Sequence, residues 1–188
     1  MGSHLVIESV ASEEMLRSGA VAEDVAFVES FANADRRCEV LAWRAIVRRE
    51  LGEGVRIFYD EYGAPKVDVP NTNISVSHSK GSVAVLFSDN PCAVDIEHTN
   101  RDFRRVANRY LAQSEQKLAE QYDIFAEMWC AKEALYKYYK KGNLDLVKHI
   151  SIGDYDSDRG VLRCSILGSE PIDVKIKRDG NLAIAVID

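Results

Sequence analysis

The sequence predicts an α+β fold built from two similar α+β halves, residues 1–98 and residues 99–188. Two observations favour this class. The segments follow one another as strand, helix, several strands, further helices and again several strands, which is an α+β order. The 188 residues are enough for one substantial core or for two small, closely joined halves. No sequence repeat relates the halves, so the division depends on the order of the elements alone.

Composition limits the class of protein. Hydrophobic residues make up 46% of the chain and charged residues 29%, as in ordinary soluble domains. The net charge of −6 argues against a general nucleic-acid-binding protein, which is normally basic. The four cysteines form no C-x-x-C pair, which suits reduced thiols. No apolar run reaches membrane-spanning length, and the N-terminus has no signal-peptide core. We therefore expect a cytoplasmic monomer with no nucleic-acid or membrane partner.

Five strands and two helices are predicted in the first half. Alternating or apolar runs predict strands at residues 5–10, 55–59, 73–77, 82–88 and 92–97. Asn33 or Asp35 can cap a helix that runs to about Glu50 and stops at Gly52. Its apolar face comprises Val40, Leu41, Trp43, Ile46, Val47 and Leu51, and its basic face comprises Arg36, Arg37, Arg44, Arg48 and Arg49. A short helix is expected around residues 23–30.

A long helix is the main element predicted in the second half. It covers residues 123–141, with Asp123 as the N-cap, Gly142 as the stop, and Lys140 and Lys141 near the negative end of its dipole. Before it, residues 102–111 are predicted to be helical, and Ser114 to cap a helix that ends near residue 122. After it, strands are expected at residues 150–152, 161–167, 172–177 and 182–187.

Asp95 and Glu97 form the first constellation that can carry chemistry. Residues two apart on a strand project from the same face, so these two carboxylates lie side by side. Their mutual repulsion favours a bound cation, and a small set of oxygen ligands with room for water and phosphate suits Mg²⁺. The alternative interpretation, favoured for the pair alone, is a solvated strand end.

Two further constellations indicate phosphate chemistry. Residues 75–79 place hydroxyl groups, an imidazole and backbone N–H groups where a predicted strand meets a turn, and such a turn can hold phosphate. Glu133 and Lys137 are four residues apart on the long helix and share a face, beside Lys132. A carboxylate with amines suits a metal ligand or base together with phosphate neutralisation. Taken alone, the first set also reads as a polar turn and the second as a surface ion pair.

Three motifs together resemble those of one enzyme family. They are Ser77-His78-Ser79, Ala93-Val94-Asp95-Ile96-Glu97 and Trp129-Cys130-Ala131-Lys132-Glu133-Ala134-Leu135-Tyr136-Lys137. They are similar to the S-H-S, G-x-D-x-E and W-x-x-K-E-x-x-x-K patterns of the 4′-phosphopantetheinyl transferases. The resemblance is to the larger, pseudo-dimeric, surfactin-synthetase-activating type, which serves peptide, polyketide and fatty-acid synthases. It implies that a pseudo-twofold relates the two halves. It spans roughly residues 35–145, and the arginine-bearing helix resembles the family's N-terminal helix.

Two positions depart from the family pattern. Ala93 stands where the family usually has Gly, which is a small change. Glu61-Tyr62-Gly63-Ala64-Pro65 looks like the family's G-K/R-P segment, but Ala64 replaces a basic residue that helps bind the phosphates of coenzyme A. Lys66 or an arginine of the first helix is expected to take its place.

The resemblance implies an activity and a set of site residues. The 4′-phosphopantetheine group of coenzyme A would pass to a serine of an apo acyl or peptidyl carrier protein, with Mg²⁺ or Mn²⁺ bound in a cleft between the halves, and 3′,5′-ADP would leave. The implied catalytic residues are Glu133, Lys137 and Asp95, and the metal ligands are Asp95, Glu97 and Glu133. Coenzyme A would contact Ser77, His78, Lys132, Lys137, Arg37, Pro65 and Lys66. Within this set His78 and Ser77 would hold the 3′-phosphate, and Lys132 would either help bind phosphate or pack outward as an ordinary helix lysine.

Four arginines are predicted to dock the carrier protein, which the resemblance implies is acidic. Arg101, Arg104, Arg105 and Arg109 follow Glu97 closely and would share one face of a helix, with Phe103 or Val106 as an apolar contact. The alternative is a solvated helix face. Two other functions stay open: a metal-dependent phosphohydrolase that uses water as its acceptor, and a non-catalytic protein that only binds coenzyme A or a carrier protein.

Overall fold

The structure, a computed structural model, describes residues 2–139 and 142–188. The chain divides into two compact units, the first ending at Pro91 and the second covering Cys92–Asp188. Each unit contains helices packed with antiparallel strands, which confirms the α+β class. The pseudo-twofold relation and the cleft stay predictions. None of the helices in the described residues is long and apolar enough to cross a membrane.

In the residues that the structure describes, the first unit contains three helices and five strands. In chain order they are β1 (His4–Ser9), α1 (Glu13–Gly19), α2 (Ala22–Val28), α3 (Ala34–Leu51), β2 (Ile57–Tyr59), β3 (Pro65–Val67), β4 (Asn73–Ser79) and β5 (Ser82–Ser88). Strands β1, β5 and β4 form a sheet in that order, and β2 pairs with β3. The predicted strands and α3 are confirmed, whereas α1 was missed because it has no buried residue and therefore no strong apolar period.

Helix α3 matches its predicted limits but not its predicted basic face. The Asn33 side chain accepts a hydrogen bond from the backbone N–H of Arg36, and Gly52 ends the helix with φ of 105°, a conformation that favours glycine. Arg44 and Arg48 are buried instead of solvated. Both contact the buried carboxylate of Asp24 on α2, at 2.5 Å and 2.6 Å from their Nε atoms. The sequence shows five similar arginines, and only the tertiary contact with Asp24 distinguishes Arg44 and Arg48 from the other three.

The hairpin between β4 and β5 is tighter than predicted. His78 pairs with Val83 and Ser79 with Ser82, so both belong to β4 rather than to a turn. Lys80 and Gly81 alone make the connection, with φ of 42° and 80°. Two successive left-handed residues form the two-residue turn that matches the twist of paired strands.

The described part of the second unit contains five strands and a central helix. Its elements are β6 (Ala93–His98), a 3₁₀ helix (Arg104–Arg109), α4 (Gln113–Tyr122), α5 (Phe125–Tyr139), β7 (Ile150–Asp156), β8 (Val161–Ile166), β9 (Ile172–Asp179) and β10 (Leu182–Ile187). The antiparallel sheet has the order β6-β10-β9-β8-β7. Because β6 pairs with β10 along its whole length, residues 93–98 belong to this unit and not to the first half, where the predicted boundary placed them.

Two predicted helix caps in the second unit are wrong. Asp123 ends α4 in the left-handed conformation, with φ of 53°, and α5 begins after it. Ser114 lies inside α4, whose first turn is capped by the Glu115 carboxylate accepting from the backbone N–H of Ala112 at 2.7 Å. Short polar side chains suit several roles at a helix boundary, and the sequence did not distinguish them. Lys140 and Lys141 lie outside the described residues.

Asp24→Ala is expected to lower the free energy of unfolding by about 3–5 kcal/mol, because it leaves two buried guanidinium groups without their shared carboxylate. Glu23 is the matched control, since it reaches the same two arginines at 3.5 Å and 3.4 Å from an exposed position. Glu23→Ala should cost no more than about 1 kcal/mol. Denaturant unfolding of both variants measures the difference, and equal losses would contradict the role given to Asp24.

Burial acts to raise the pKa of Asp24, but hydrogen bonds from Arg48 and Arg44 outweigh it, so the pKa lies below its ordinary value. The stability that this pair provides is therefore present above the ordinary pKa of aspartate and is lost as the pH falls through the folded-state pKa. The gap between the parent and Asp24→Ala should close under acid.

Candidate active site

Helix α5 carries two charged residues to strand β6. The Lys137 ammonium lies 2.8 Å from the Asp95 carboxylate and donates to the Val94 carbonyl at 3.0 Å. Asp95 is buried although it is charged. A buried carboxylate beside an ammonium forms a charge-assisted contact that ties helix to strand. Sequence spacing predicted both residues as site members, and the structure brings them together.

Glu133 is half-buried on the same face of α5, one turn before Lys137. Burial raises its pKa, the charge of Asp95 raises it further, Lys137 lowers it, and Glu97 adds a smaller rise. The same two strand carboxylates, after burial itself, raise the pKa of the buried Cys130 thiol. The charges of Asp95 and Glu97 thus both act on Glu133 and on Cys130.

Glu97 contacts an arginine that lies over two aromatic rings. Its Oε1 lies 3.5 Å from the Arg101 guanidinium. That guanidinium lies over the ring of Trp129, 5.6 Å from its centroid, and over the ring of Phe103 at 5.5 Å. Cation–π contacts of this kind fix a flexible arginine. Arg101 therefore lies beside Glu97, and its docking role stays a prediction.

Lys132 does not take either predicted role. It is fully buried within the second unit and neither packs outward nor reaches a surface where coenzyme A could bind. Its Nζ contacts both carboxylate oxygens of Glu115 at 2.9 Å and the carbonyls of Leu146 and Ile150 at 2.9 Å and 2.5 Å. Burial lowers the pKa of Lys132 and the contact with Glu115 opposes that fall. Glu115, which the sequence analysis missed, gave no signal because its partner is distant along the chain.

The first unit holds a separate cluster around His78. The imidazole of this exposed residue contacts the Arg36 guanidinium through Nε2 and the Glu39 carboxylate through Nδ1, the latter at 3.1 Å. Ser77, its neighbour on β4, is buried. Arg36 lies on the first turn of α3 and also over the Phe31 ring. The sequence offered five arginines on this helix, and the contact with His78 identifies Arg36 as the one that belongs to the cluster.

Arg37, which was predicted to bind coenzyme A, is bound inside the first unit. Its Nε and Nη2 atoms donate to the Glu13 carboxylate at 2.9 Å and 3.0 Å. Its Nη1 donates to the carbonyls of Phe31 and Ala32 at 2.9 Å and 3.2 Å. A guanidinium has five N–H donors, and four are used here. The prediction for Arg37 is corrected to a structural role, joining α1 to α3.

The β2–β3 hairpin holds Pro65 and Lys66 beside a structured turn. The Asp60 carboxylate accepts from the backbone N–H groups of Tyr62 and Ala64 at 3.0 Å and 2.9 Å. Pro65 pairs with Tyr59 at the start of β3. The Lys66 ammonium lies 3.8 Å from Asp60, which is a loose contact. Lys66 therefore keeps a cation near the position of Ala64.

The predicted single arginine face does not form. Residues 104–109 make a 3₁₀ helix with three residues per turn, so Arg104, Arg105 and Arg109 project in three directions. Arg104 lies over the Phe125 ring, 4.8 Å from its centroid, and 3.4 Å from Glu120. All three side chains are exposed, whereas Phe103 is buried and unavailable as a docking contact.

The carboxylates have the donor chemistry of a magnesium site. Asp95, Glu97 and Glu133 supply only oxygen, which Mg²⁺ prefers, and a divalent cation would relieve the repulsion that raises the Glu133 pKa. As the side chains stand, no three His, Cys, Asp or Glu residues within residues 2–139 and 142–188 are close enough to enclose a metal ion. Binding would therefore require side-chain rotation.

Comparison with known proteins identifies the family. Residues 91–187 match the family model of the 4′-phosphopantetheinyl transferase superfamily. This match covers more than half of the chain and includes β6 and α5 with all four site residues. The chain therefore belongs to the 4′-phosphopantetheinyl transferase superfamily.

Two relatives come from Bacillus subtilis. The chain is 34% identical over 109 residues to 4′-phosphopantetheinyl transferase Sfp of strain 168, covering 53% of this chain and 49% of the relative. It is 33% identical over 95 residues to 4′-phosphopantetheinyl transferase ffp, covering 47% of this chain and 42% of the relative. The chain spans about half the length of these relatives or slightly less.

Glu133→Gln is expected to raise the melting temperature at pH 7. The raised pKa means that ionised Glu133 is disfavoured in the fold, so the stability present below the ordinary glutamate pKa is lost as the pH rises through the folded-state pKa. Glutamine does not ionise and avoids that loss. Thermal unfolding from pH 3.5 to 8 in EDTA should give a gain at neutral pH that vanishes under acid.

The exposed Glu170 supplies the control for this measurement. Glu170→Gln should leave the melting temperature unchanged across the same range. A Glu133→Gln protein that is less stable than its parent at pH 7 would contradict the carboxylate repulsion.

Proposed function

We propose that the chain transfers the 4′-phosphopantetheine group of coenzyme A to a serine of an apo carrier protein. The main support is electrostatic: Lys137 contacts Asp95, and the charges of Asp95, Glu97 and Lys137 all act on Glu133, within the unit that matches the family model. Both relatives bear the name of this transferase. The reaction needs a base, a cation beside phosphate and ligands for a metal, and these four residues can supply all three.

In the proposed reaction the serine Oγ attacks the phosphorus next to pantetheine. The new O–P bond forms as the phosphoanhydride bond breaks, and 3′,5′-ADP leaves with the electron pair of that bond. Glu133, directly or through a water, takes the serine proton. Its raised pKa brings a carboxylate closer to the working pH, which makes it a better base than an ordinary glutamate.

Lys137 is proposed to face the phosphates from its position beside Asp95. An ammonium there would neutralise charge that grows on the leaving phosphate. Asp95, Glu97 and Glu133 would hold Mg²⁺, or Mn²⁺ in its place. The bound ion would supply charge stabilisation to the phosphoryl oxygens.

The first unit is proposed to supply contacts for the rest of coenzyme A. His78 and Arg36 place an imidazole and a guanidinium together at the surface, a combination that suits phosphate. Pro65 and Lys66 lie on the β2–β3 hairpin, which precedes β4 in the sequence. Lys66 would supply the positive charge that is missing at Ala64. Ser77, being buried, would act from within β4. Lys132 and Arg37 are excluded from this set by the contacts described above.

The test is incubation with coenzyme A, Mg²⁺ and an apo carrier protein, followed by intact mass measurement. Transfer adds one phosphopantetheine group to the carrier and releases 3′,5′-ADP. Asp95→Ala should abolish the adduct while near-ultraviolet circular dichroism stays like that of the parent, because it removes a carboxylate from the proposed metal site. Inorganic phosphate without an adduct would indicate a phosphohydrolase, and binding of coenzyme A with neither product would indicate a non-catalytic protein.

The carrier protein is proposed to dock beside the 3₁₀ helix. Arg104 and Arg105 are exposed there and follow β6, which carries Asp95 and Glu97. The whole chain is acidic at a net charge of −6, so an acidic partner needs a local basic patch. Arg104 lies against the Phe125 ring, which holds its charge at a fixed place on the surface.

Reversing both charges, Arg104→Glu with Arg105→Glu, should raise the KM for the carrier protein by roughly tenfold and leave coenzyme A binding unchanged. The parent KM should rise with salt, since exposed charges are screened over about 8–10 Å at ordinary ionic strength. Steady-state kinetics at several salt concentrations measures both effects.

Arg159→Glu with Arg163→Glu is the matched control. These exposed arginines belong to the same unit and lie at the β7–β8 hairpin, separated from β6 by two intervening strands of the sheet. The control should keep the parent KM. If the KM for the carrier protein does not change with salt and is the same in both double variants, the carrier protein docks on another surface.

A further inference from the structure

Lys132 satisfies its charge entirely within the protein. It is fully buried, and its three N–H donors face four acceptors: both oxygens of Glu115 and the carbonyls of Leu146 and Ile150. Removing a charged group from water is costly unless its hydrogen bonds are replaced. Here they are replaced from two sides, by a carboxylate on α4 and by carbonyls before and at the start of β7.

Glu115 extends this ion pair into a network. Its Oε1 also accepts from the backbone N–H of Ile152 at 2.7 Å, and its Oε2 from the backbone N–H of Ala112 at 2.7 Å. One buried carboxylate thus joins the start of α4, the start of β7 and the middle of α5. All of these hydrogen-bond partners belong to the second unit.

The network acts on α5, next to the residues proposed for catalysis. Successive residues on a helix are about 100° apart, so Lys132 and Glu133 face different neighbours. The contacts of Lys132 hold one side of α5 to α4 and β7, while Lys137 holds another side to β6.

The other buried side chains on this part of the helix are Met128, Cys130, Ala131, Ala134 and Leu135. Their apolar contacts are not directional, whereas the ion pairs of Lys132 and Lys137 hold particular atoms at hydrogen-bond distance. These two polar anchors therefore contribute to the resistance of α5 to rotation about its axis.

We infer that Lys132 is a positioning residue, whose ion pair with Glu115 sets the rotation of α5 that presents Glu133 and Lys137 to Asp95. The expected effect of Lys132 on turnover rests on the proposed function. Lys132 touches no substrate and acts on turnover through Glu133 and Lys137.

The test is Lys132→Met, assayed below its melting temperature. It should lower kcat roughly ten- to hundredfold, because small misplacement of reacting groups is costly. It should also weaken coenzyme A binding, but less than Lys137→Ala does, because the ammonium of Lys137 is displaced and not removed. The melting temperature of Lys132→Met should fall by roughly 10 °C, since a buried carboxylate loses its partner.

Two controls separate positioning from loss of stability. Lys117→Met makes the same change at an exposed site of α4 and should alter nothing. Leu162→Ala removes buried apolar volume on β8 and should lower the melting temperature without lowering kcat of the folded protein.

A second variant keeps the inference falsifiable if Lys132→Met does not fold. Lys132→Met with Glu115→Gln removes both charges but keeps an amide oxygen for Ile152, so it should recover most of the melting temperature and part of kcat. Coenzyme A binding weakened as much as in Lys137→Ala, with a parental melting temperature, would overturn the inference, as would parental kcat in either folded variant. If the parent itself transfers nothing, the proposed function fails. The inference fails as well only if the losses of melting temperature in Lys132→Met and in Glu115→Gln simply add up in the double variant.

Discussion

A buried ammonium–carboxylate contact between Lys132 and Glu115 connects three elements of the second unit. The contact joins α5 to α4 and to the start of β7, and the Lys137 contact with Asp95 joins α5 to β6. A helix that carries charged residues into a partly buried site must be held against rotation, because a small turn would replace them with neighbouring apolar side chains. The rest of the site, including the half-buried position of Glu133, follows from that fixed orientation.

The three carboxylates Asp95, Glu97 and Glu133 lower the stability of the fold locally, and the surrounding packing offsets this loss. Burial raises the pKa of Glu133, and the charges of Asp95 and Glu97 raise it further, so ionisation of Glu133 opposes folding. Lys137 relieves part of this repulsion from α5. Sites poised for catalysis commonly give up stability in this way, and the fully buried residues of α5, which include Met128 and Leu135, provide compensating apolar contact.

Periodicity predicted the elements of this fold well, and spacing predicted the residues of the second unit that meet. Asp95 with Glu97, and Glu133 with Lys137, are separated by strand and helix periods, so local geometry alone aligns each pair. Lys132 and Arg44 could not be predicted in the same way, since each is buried by a carboxylate from another helix. A charged residue is expected outside unless its partner is known, and the sequence does not show partners. The 3₁₀ geometry that separates the arginines likewise depends on packing rather than on composition.

The central claim is that Asp95, Glu97, Glu133 and Lys137 form the phosphate end of a coenzyme A site. A crystal structure of the protein with coenzyme A and Mg²⁺ tests this most directly. The account predicts oxygen ligation of the ion by the three carboxylates, with the Lys137 ammonium within hydrogen-bond distance of a phosphate oxygen. A phosphate group bound elsewhere, with Lys137 still closed onto Asp95 and no ion at the carboxylates, would contradict it.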